Sequence, residues 1–184
     1  MAEEAVFAGD TTTLTYAYLK SGAEFLLKEA EETIDGNVYT SMMALISTAF
    51  FIEAYLNHIG EKLIAHWDVI ERKLSPSNKL DVVALALKVD LSFGSRPFES
   101  FSPIFKFRNL LAHGRTATIG GTWKRNLGST SQGLRPLWLQ LSNPEEARRR
   151  FDDGVRIVEY LHEAAGLGSD PFSLMSHGRG GRIG

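Results

Sequence analysis

Apolar positions recur along most of this chain at three-to-four-residue spacing, the period of a helix with one buried face. From Leu14 to Thr33 the stripe runs Tyr16, Leu19, Ala23, Leu26, Leu27 and Ala30, and Thr13 or a neighbour can cap its start. Asp35-Gly36-Asn37 is a turn signal. The next segment, Val38 to Ile59, is apolar nearly all round, with Met42, Leu45, Ile46, Ala49, Phe50, Ile52, Tyr55 and Leu56; such a helix is central to a bundle. Glu61 to Leu74 either continues it past Gly60 or forms a separate amphipathic helix.

Ser75-Pro76-Ser77 breaks the pattern, and Ser77 is expected to cap a short helix over Lys79 to Val89. Leu91 to Pro97 reads as a loop. The segment Phe98 to Arg115, FESFSPIFKFRNLLAHGR, regains helical spacing through Phe101, Ile104, Phe105, Phe107, Leu110 and Leu111, and Gly114 suits the C′ position after His113. Glycine-rich, polar residues follow from Thr116, predicting a loop or hairpin with Thr122-Trp123-Lys124 as one arm and Leu134 to Leu141 as the other. Ser142 or Asn143 then caps a last helix, with Pro144 first, Glu145 and Glu146 in the first turn, and a stripe of Ala147, Phe151, Val155, Val158, Leu161 and Ala165. The pattern contains no internal repeat and no domain linker. It predicts an all-α bundle of five or six helices with one irregular loop or hairpin insertion. That domain spans residues 14–166, between a flexible arm at 1–13 and a flexible tail at 167–184.

Composition narrows the chemistry. A length of 184 residues suits one domain with a sizeable core. The chain has no cysteine, which excludes disulfides, thiolate-ligated zinc and thiol nucleophiles, and fits a reducing, cytoplasmic setting. The acidic start MAEEAVFAGD lacks the pattern of a signal peptide. The longest apolar run carries Glu53, Asn57 and His58, so no membrane span is expected. A net charge of −2 supplies no overall basic field, so contact with a polyanion requires a local patch.

Arg108, Asn109 and His113 stand out because a cation, an amide and an imidazole end a largely apolar helix, where they need partners or a purpose. Asn109 and His113 are i, i+4 on one face, and Arg108 is long enough to reach round to them. His113 sits at the negative end of the helix dipole. Arg-x4-His arises readily by chance, and Arg156 and His162 form a rival R-x5-H, but that pair is mid-helix without an amide neighbour and reads as surface. Glu53 falls on the apolar stripe of its helix, where a carboxylate seeks a cation; Arg108 is the expected partner, an internal salt bridge being the plainer alternative to a catalytic part. Arg148-Arg149-Arg150, with Trp123, Lys124 and Arg125, reads as a phosphate-contacting patch or a solvated helix face. His58 and His66 have no carboxylate at ligand spacing, so no metal or cofactor is expected.

FKFRNLLAHG resembles the signature of the HEPN superfamily, whose R-x4–6-H motif commonly begins Arg-Asn, and ISTAFFIEAYLNHI resembles its long second helix, with Glu53 and Asn57. The resemblance covers Thr15 to about Gly166 and implies a HEPN-like helical bundle acting as a metal-independent endoribonuclease of toxin or defence type. It also implies a homodimer whose two motifs face one cleft, and a cognate antitoxin or partner protein. Arg108, Asn109, His113 and Glu53 are then the site residues. RNA carries its own nucleophile, the 2′-hydroxyl, so cleavage needs only proton transfer by an imidazole and phosphate binding by a guanidinium. The alternative is a catalytically silent module of the same fold that binds RNA or a protein.

Overall fold

The computed structural model describes residues 7–116, 118–122 and 134–182. Among these it holds seven α-helices and one two-stranded sheet: β1 (Phe7–Thr13), α1 (Thr15–Glu32), α2 (Asn37–Leu63), α3 (Trp67–Ile70), α4 (Pro76–Leu87), α5 (Phe101–Ala112), α6 (Leu137–Leu141), α7 (Pro144–Ala164) and β2 (Ser176–Arg182). The all-α bundle is therefore present, with a small β-ribbon added.

The centre is α2, which packs along α1 and also touches α7, α4 and α5. Most of its apolar sequence is used in the core: Leu45, Ala49, Phe51, Ile52, Tyr55, Leu56 and Ile59 are all buried, while Phe50 is exposed. Burying a side chain of this size contributes ~1.5–3 kcal/mol, so this one helix anchors the core. By length and composition α2 could also cross a bilayer, but half of its most apolar window is buried inside the bundle. The helix runs past Gly60 to Leu63 before His66, at φ +58°, turns the chain into the separate α3. Gly60 is required there, since a Cβ would lie 2.3 Å from the buried Trp67 indole. Gly154 lets α7 approach α2 in the same way, its Cβ position being 2.9 Å from Phe51 and 3.0 Å from Thr48.

Two helix starts follow local chemistry and a third does not. Asn143 caps α7, its Oδ1 accepting from the Glu146 N–H at 2.9 Å, with Pro144 in the first turn as expected. Helix α4 is capped by Ser75 rather than Ser77: Pro76 holds Ser75 extended (ψ 159°) and takes the first helical position itself. Leu14, not Thr13, precedes α1, and its N–H donates to the Met175 carbonyl at 2.8 Å instead of joining a side-chain cap.

That last bond lies beside a pairing of the two ends. Of the arm and tail expected at 1–13 and 167–184, Phe7–Thr13 and Ser176–Arg182 form an antiparallel ribbon, Thr13 opposite Ser176 through Phe7 opposite Arg182. The β-branched run Thr11–Thr13 suits a strand, and Gly178 permits close approach to the Asp10 carbonyl. Phe172 pins the returning chain, its ring centroid 6.0 Å from that of Tyr16 and 6.1 Å from that of Phe51. One correction concerns Leu134 to Leu141, expected as a hairpin arm. Residues Leu137–Leu141 form one helical turn, with Trp138 and Leu141, three apart, packed on the core while Leu137 is exposed. Helical spacing won because Ser142 Oγ closes the turn on the Trp138 carbonyl at 2.7 Å. The other proposed arm falls largely outside the described residues.

Candidate functional site

The motif helix α5 buries Phe101, Ile104, Phe105 and Phe107, and this apolar stripe fixes where its polar residues point. Arg108, four residues on from Ile104, continues the stripe and turns towards α2. Its Nη2 donates to Glu53 Oε2 at 2.8 Å, and its guanidinium lies 5.6 Å from the Phe105 ring centroid. The expected Glu53–Arg108 pair is therefore a contact in the fold, although both side chains keep about a quarter of their surface in solvent.

A further residue completes the arrangement. Lys79 of α4 is 4% exposed, and its Nζ donates to Glu53 Oε1 at 3.2 Å and to Asn57 Oδ1 at 2.8 Å, with Glu71 Oε2 at 3.7 Å. Glu53 thus receives a lysine on one oxygen and an arginine on the other, tying α2, α4 and α5 together. Sequence reasoning passed over Lys79. Its signal was a lysine immediately before Leu80 and Val83 on the inner face of an amphipathic helix. A buried ammonium survives only with such compensation.

Asn109 and His113 sit on the opposite, exposed flank of α5. They are linked through the backbone, the His113 N–H donating to the Asn109 carbonyl at 3.0 Å, and His113 is the C-terminal cap. Arg108 does not swing round to join them; the carboxylate it meets is on the other side. Among the described residues no side-chain bond connects Arg108 with His113, and the buried Nε of Arg108 has no partner. The structure therefore resolves the four expected site residues into a locked pair, Glu53 and Arg108, and an exposed pair, Asn109 and His113.

One other expectation changes. His162 is buried, with its Nδ1 3.1 Å from the Tyr55 hydroxyl, while Arg156 is exposed. The cause is α7 packing on α2, which carries His162, four residues beyond Val158, into the interface. Burial pushes the His162 pKa down and that of the Tyr55 hydroxyl up, so both are neutral. In the arginine run each guanidinium meets a carboxylate, while the side chains of Arg148 and Arg149 stay more than a third exposed, as on a solvated face. Arg148 makes a two-pronged bond to Glu31 at 2.7 Å, Arg149 meets Glu146 and Glu99, and Arg150 is buried against Glu146. Trp123, Lys124 and Arg125 lie outside the described residues. Among the described residues no group of three or more His, Asp or Glu side chains is arranged to hold a metal.

Comparison with protein-family models, with curated proteins and with solved structures yields no significant match. The reading of this site therefore stands on its own residues.

Proposed function

We propose that this chain is a HEPN-like endoribonuclease of toxin or defence type, acting as a homodimer on RNA. The observation that carries the proposal is an exposed imidazole, His113, ending the same helix whose Arg108 is anchored by Glu53. In the proposed reaction the 2′-hydroxyl oxygen attacks the adjacent phosphorus and gives its proton to the His113 imidazole. The O2′–P bond forms, the P–O5′ bond breaks, and the departing 5′-oxygen takes a proton from a second acid. The His113 imidazolium of a partner copy supplies that acid, which is why two motifs facing one cleft suit the chemistry. Arg108 stabilises the phosphorane charge through the guanidinium edge that Glu53 does not occupy. Asn109, on the flank of His113, orients the imidazole or the phosphate.

The alternative, a silent module that binds RNA or a protein, is favoured by one feature: Arg108 is already neutralised by a carboxylate within a network that braces three helices. Incubating the protein with total RNA in EDTA, beside its His113→Ala variant, separates the two readings. The enzyme leaves 2′,3′-cyclic phosphate ends and the variant none. Cleavage that survives in the variant, or that needs magnesium, overturns the proposal.

A further inference from the structure

A cavity of about 300 Å³ opens between the start of α1 and the second half of α2, lined by Thr13, Tyr16, Asn57, His58 and Glu61 among others. Leu14, Tyr16 and His58 also line a second hollow of about 250 Å³ beside the 167–177 segment. Asn57 belongs both to this cavity and to the Lys79 network. Lysine can only donate, so the amide oxygen must face Lys79 Nζ, and the NH2 is the end left for the cavity. One turn further along α2, on the same face, Glu61 offers a carboxylate, an acceptor only. The polar wall thus reads donor, then acceptor.

From this order we infer that the cavity is a guanine-binding subsite. Guanine presents, along one edge, an acceptor (O6) followed by two donors (N1–H and the N2 amino group). O6 meets the Asn57 NH2, and the two donors meet the Glu61 carboxylate. Adenine sets its amino group against the Asn57 NH2 and its N1 lone pair against the carboxylate. Uracil leaves O2 facing the carboxylate, and cytosine pairs only when turned round, with N3 unmatched. The half-buried His58 ring, backed by the buried Tyr16 with ring centroids 5.0 Å apart, supplies the aromatic surface for the base. Burial, with Lys62 and His162 nearby, pushes the His58 pKa down to about 4, so its ring is neutral and adds no charge beside the base.

The subsite lies one helical turn, about 6 Å along α2, from Glu53. Resting on the ribonuclease reading, it selects RNA strands that carry a guanosine. The Lys79 ammonium then serves both halves: it orients the reading amide and holds the carboxylate that anchors Arg108.

Calorimetric titration of the intact protein with guanosine, adenosine and inosine 5′-monophosphates tests the subsite without turnover. Guanosine monophosphate is expected to bind about tenfold or more tighter than adenosine monophosphate, with inosine monophosphate, which lacks the N2 amino group, between them. Glu61→Gln, an exposed change, should weaken guanosine monophosphate by about tenfold with an unchanged melting temperature. Asn57→Asp, which keeps an oxygen for Lys79 but removes the donor, should weaken it likewise. A uridine hexamer carrying one guanosine separates the sources: tighter binding than the mononucleotide marks a base held in a strand, and equal or weaker binding marks a free nucleotide. Guanosine monophosphate bound by a protein that cleaves no RNA removes the nuclease reading and keeps the subsite. No saturable binding at about 1 mM, equal affinity for the adenine nucleotide, or undiminished binding by Glu61→Gln overturns the subsite, whether or not RNA is cleaved.

Discussion

Glu53 Oε2 accepts from Arg108 Nη2 at 2.8 Å, joining two helices 55 residues apart in the chain, while Oε1 of the same carboxylate holds the buried Lys79. One side chain therefore compensates two cations. Glu53→Gln should leave both undercompensated and cost about 2–3 kcal/mol, somewhat below a fully buried pair because Glu53 itself is partly solvated. For a domain of this size that is a fall of roughly 4–12 °C in melting temperature. An unchanged melting temperature would show that the network is incidental.

Arg108 and His113 should separate cleanly by mutation. Surface substitutions move stability by no more than about 0.5 kcal/mol, so His113→Ala should melt like the parent while losing ~10²–10⁴-fold in RNA cleavage. Arg108→Ala should lose cleavage and stability together, because it strips Glu53 of one partner. Thermal denaturation measured beside a cleavage assay checks this. A large melting shift in His113→Ala would assign the imidazole a structural job.

The dimer has its own test. Tyr39, Met43 and Phe50 are exposed apolar residues at helical spacing on α2, on the face that also bears Glu53. The proposed homodimer should appear in light scattering at micromolar concentration, and Phe50→Arg should weaken it without unfolding the monomer. A strict monomer at high micromolar concentration counts against the two-motif cleft.

Gly60→Ala should destabilise more than Gly154→Ala. The first forces a Cβ onto the Trp67 ring system, and the second meets only side-chain ends of Phe51, Thr48 and Ile52. Overpacking typically costs ~1–3 kcal/mol, and the Gly60 change belongs at or above the upper end. Equal melting temperatures for the two variants would show that Trp67 can move aside.

Stability should fall on mild acidification. His58 is held neutral in the fold, first by burial and then by Lys62 and His162, with its pKa lowered from 6.5 to about 4. Between those values the unfolded chain binds the extra proton and the native one does not. Stability is therefore complete above about pH 6.5 and declines as pH falls towards 4. Allowing for solvent at this half-buried ring, the loss is on the order of 1–2 kcal/mol. His58→Gln should flatten the pH dependence of the melting temperature across that window; an unaltered slope would place its origin elsewhere.

The amino-acid pattern alone determined the helices with strong, continuous periodicity: α1, α2, α5 and α7 lie within a few residues of their apolar stripes, since those stripes record which face must leave water. It also pointed to Glu53 and Arg108 as partners, because a carboxylate on an apolar stripe and a cation beside one each demand compensation. What a stripe cannot encode is what lies opposite it. Only the tertiary structure brought Lys79 to the second oxygen of Glu53, carried His162 under Tyr55, and matched every arginine of the 148–150 run with a carboxylate. The ribbon of β1 and β2 escaped for the same reason: its hydrogen bonds join opposite ends of the chain, and neither segment has a stripe to announce them. Local spacing fixes a residue's face. Its partner depends on how the helices cross, and that decided which of the four expected site residues are locked and which are exposed.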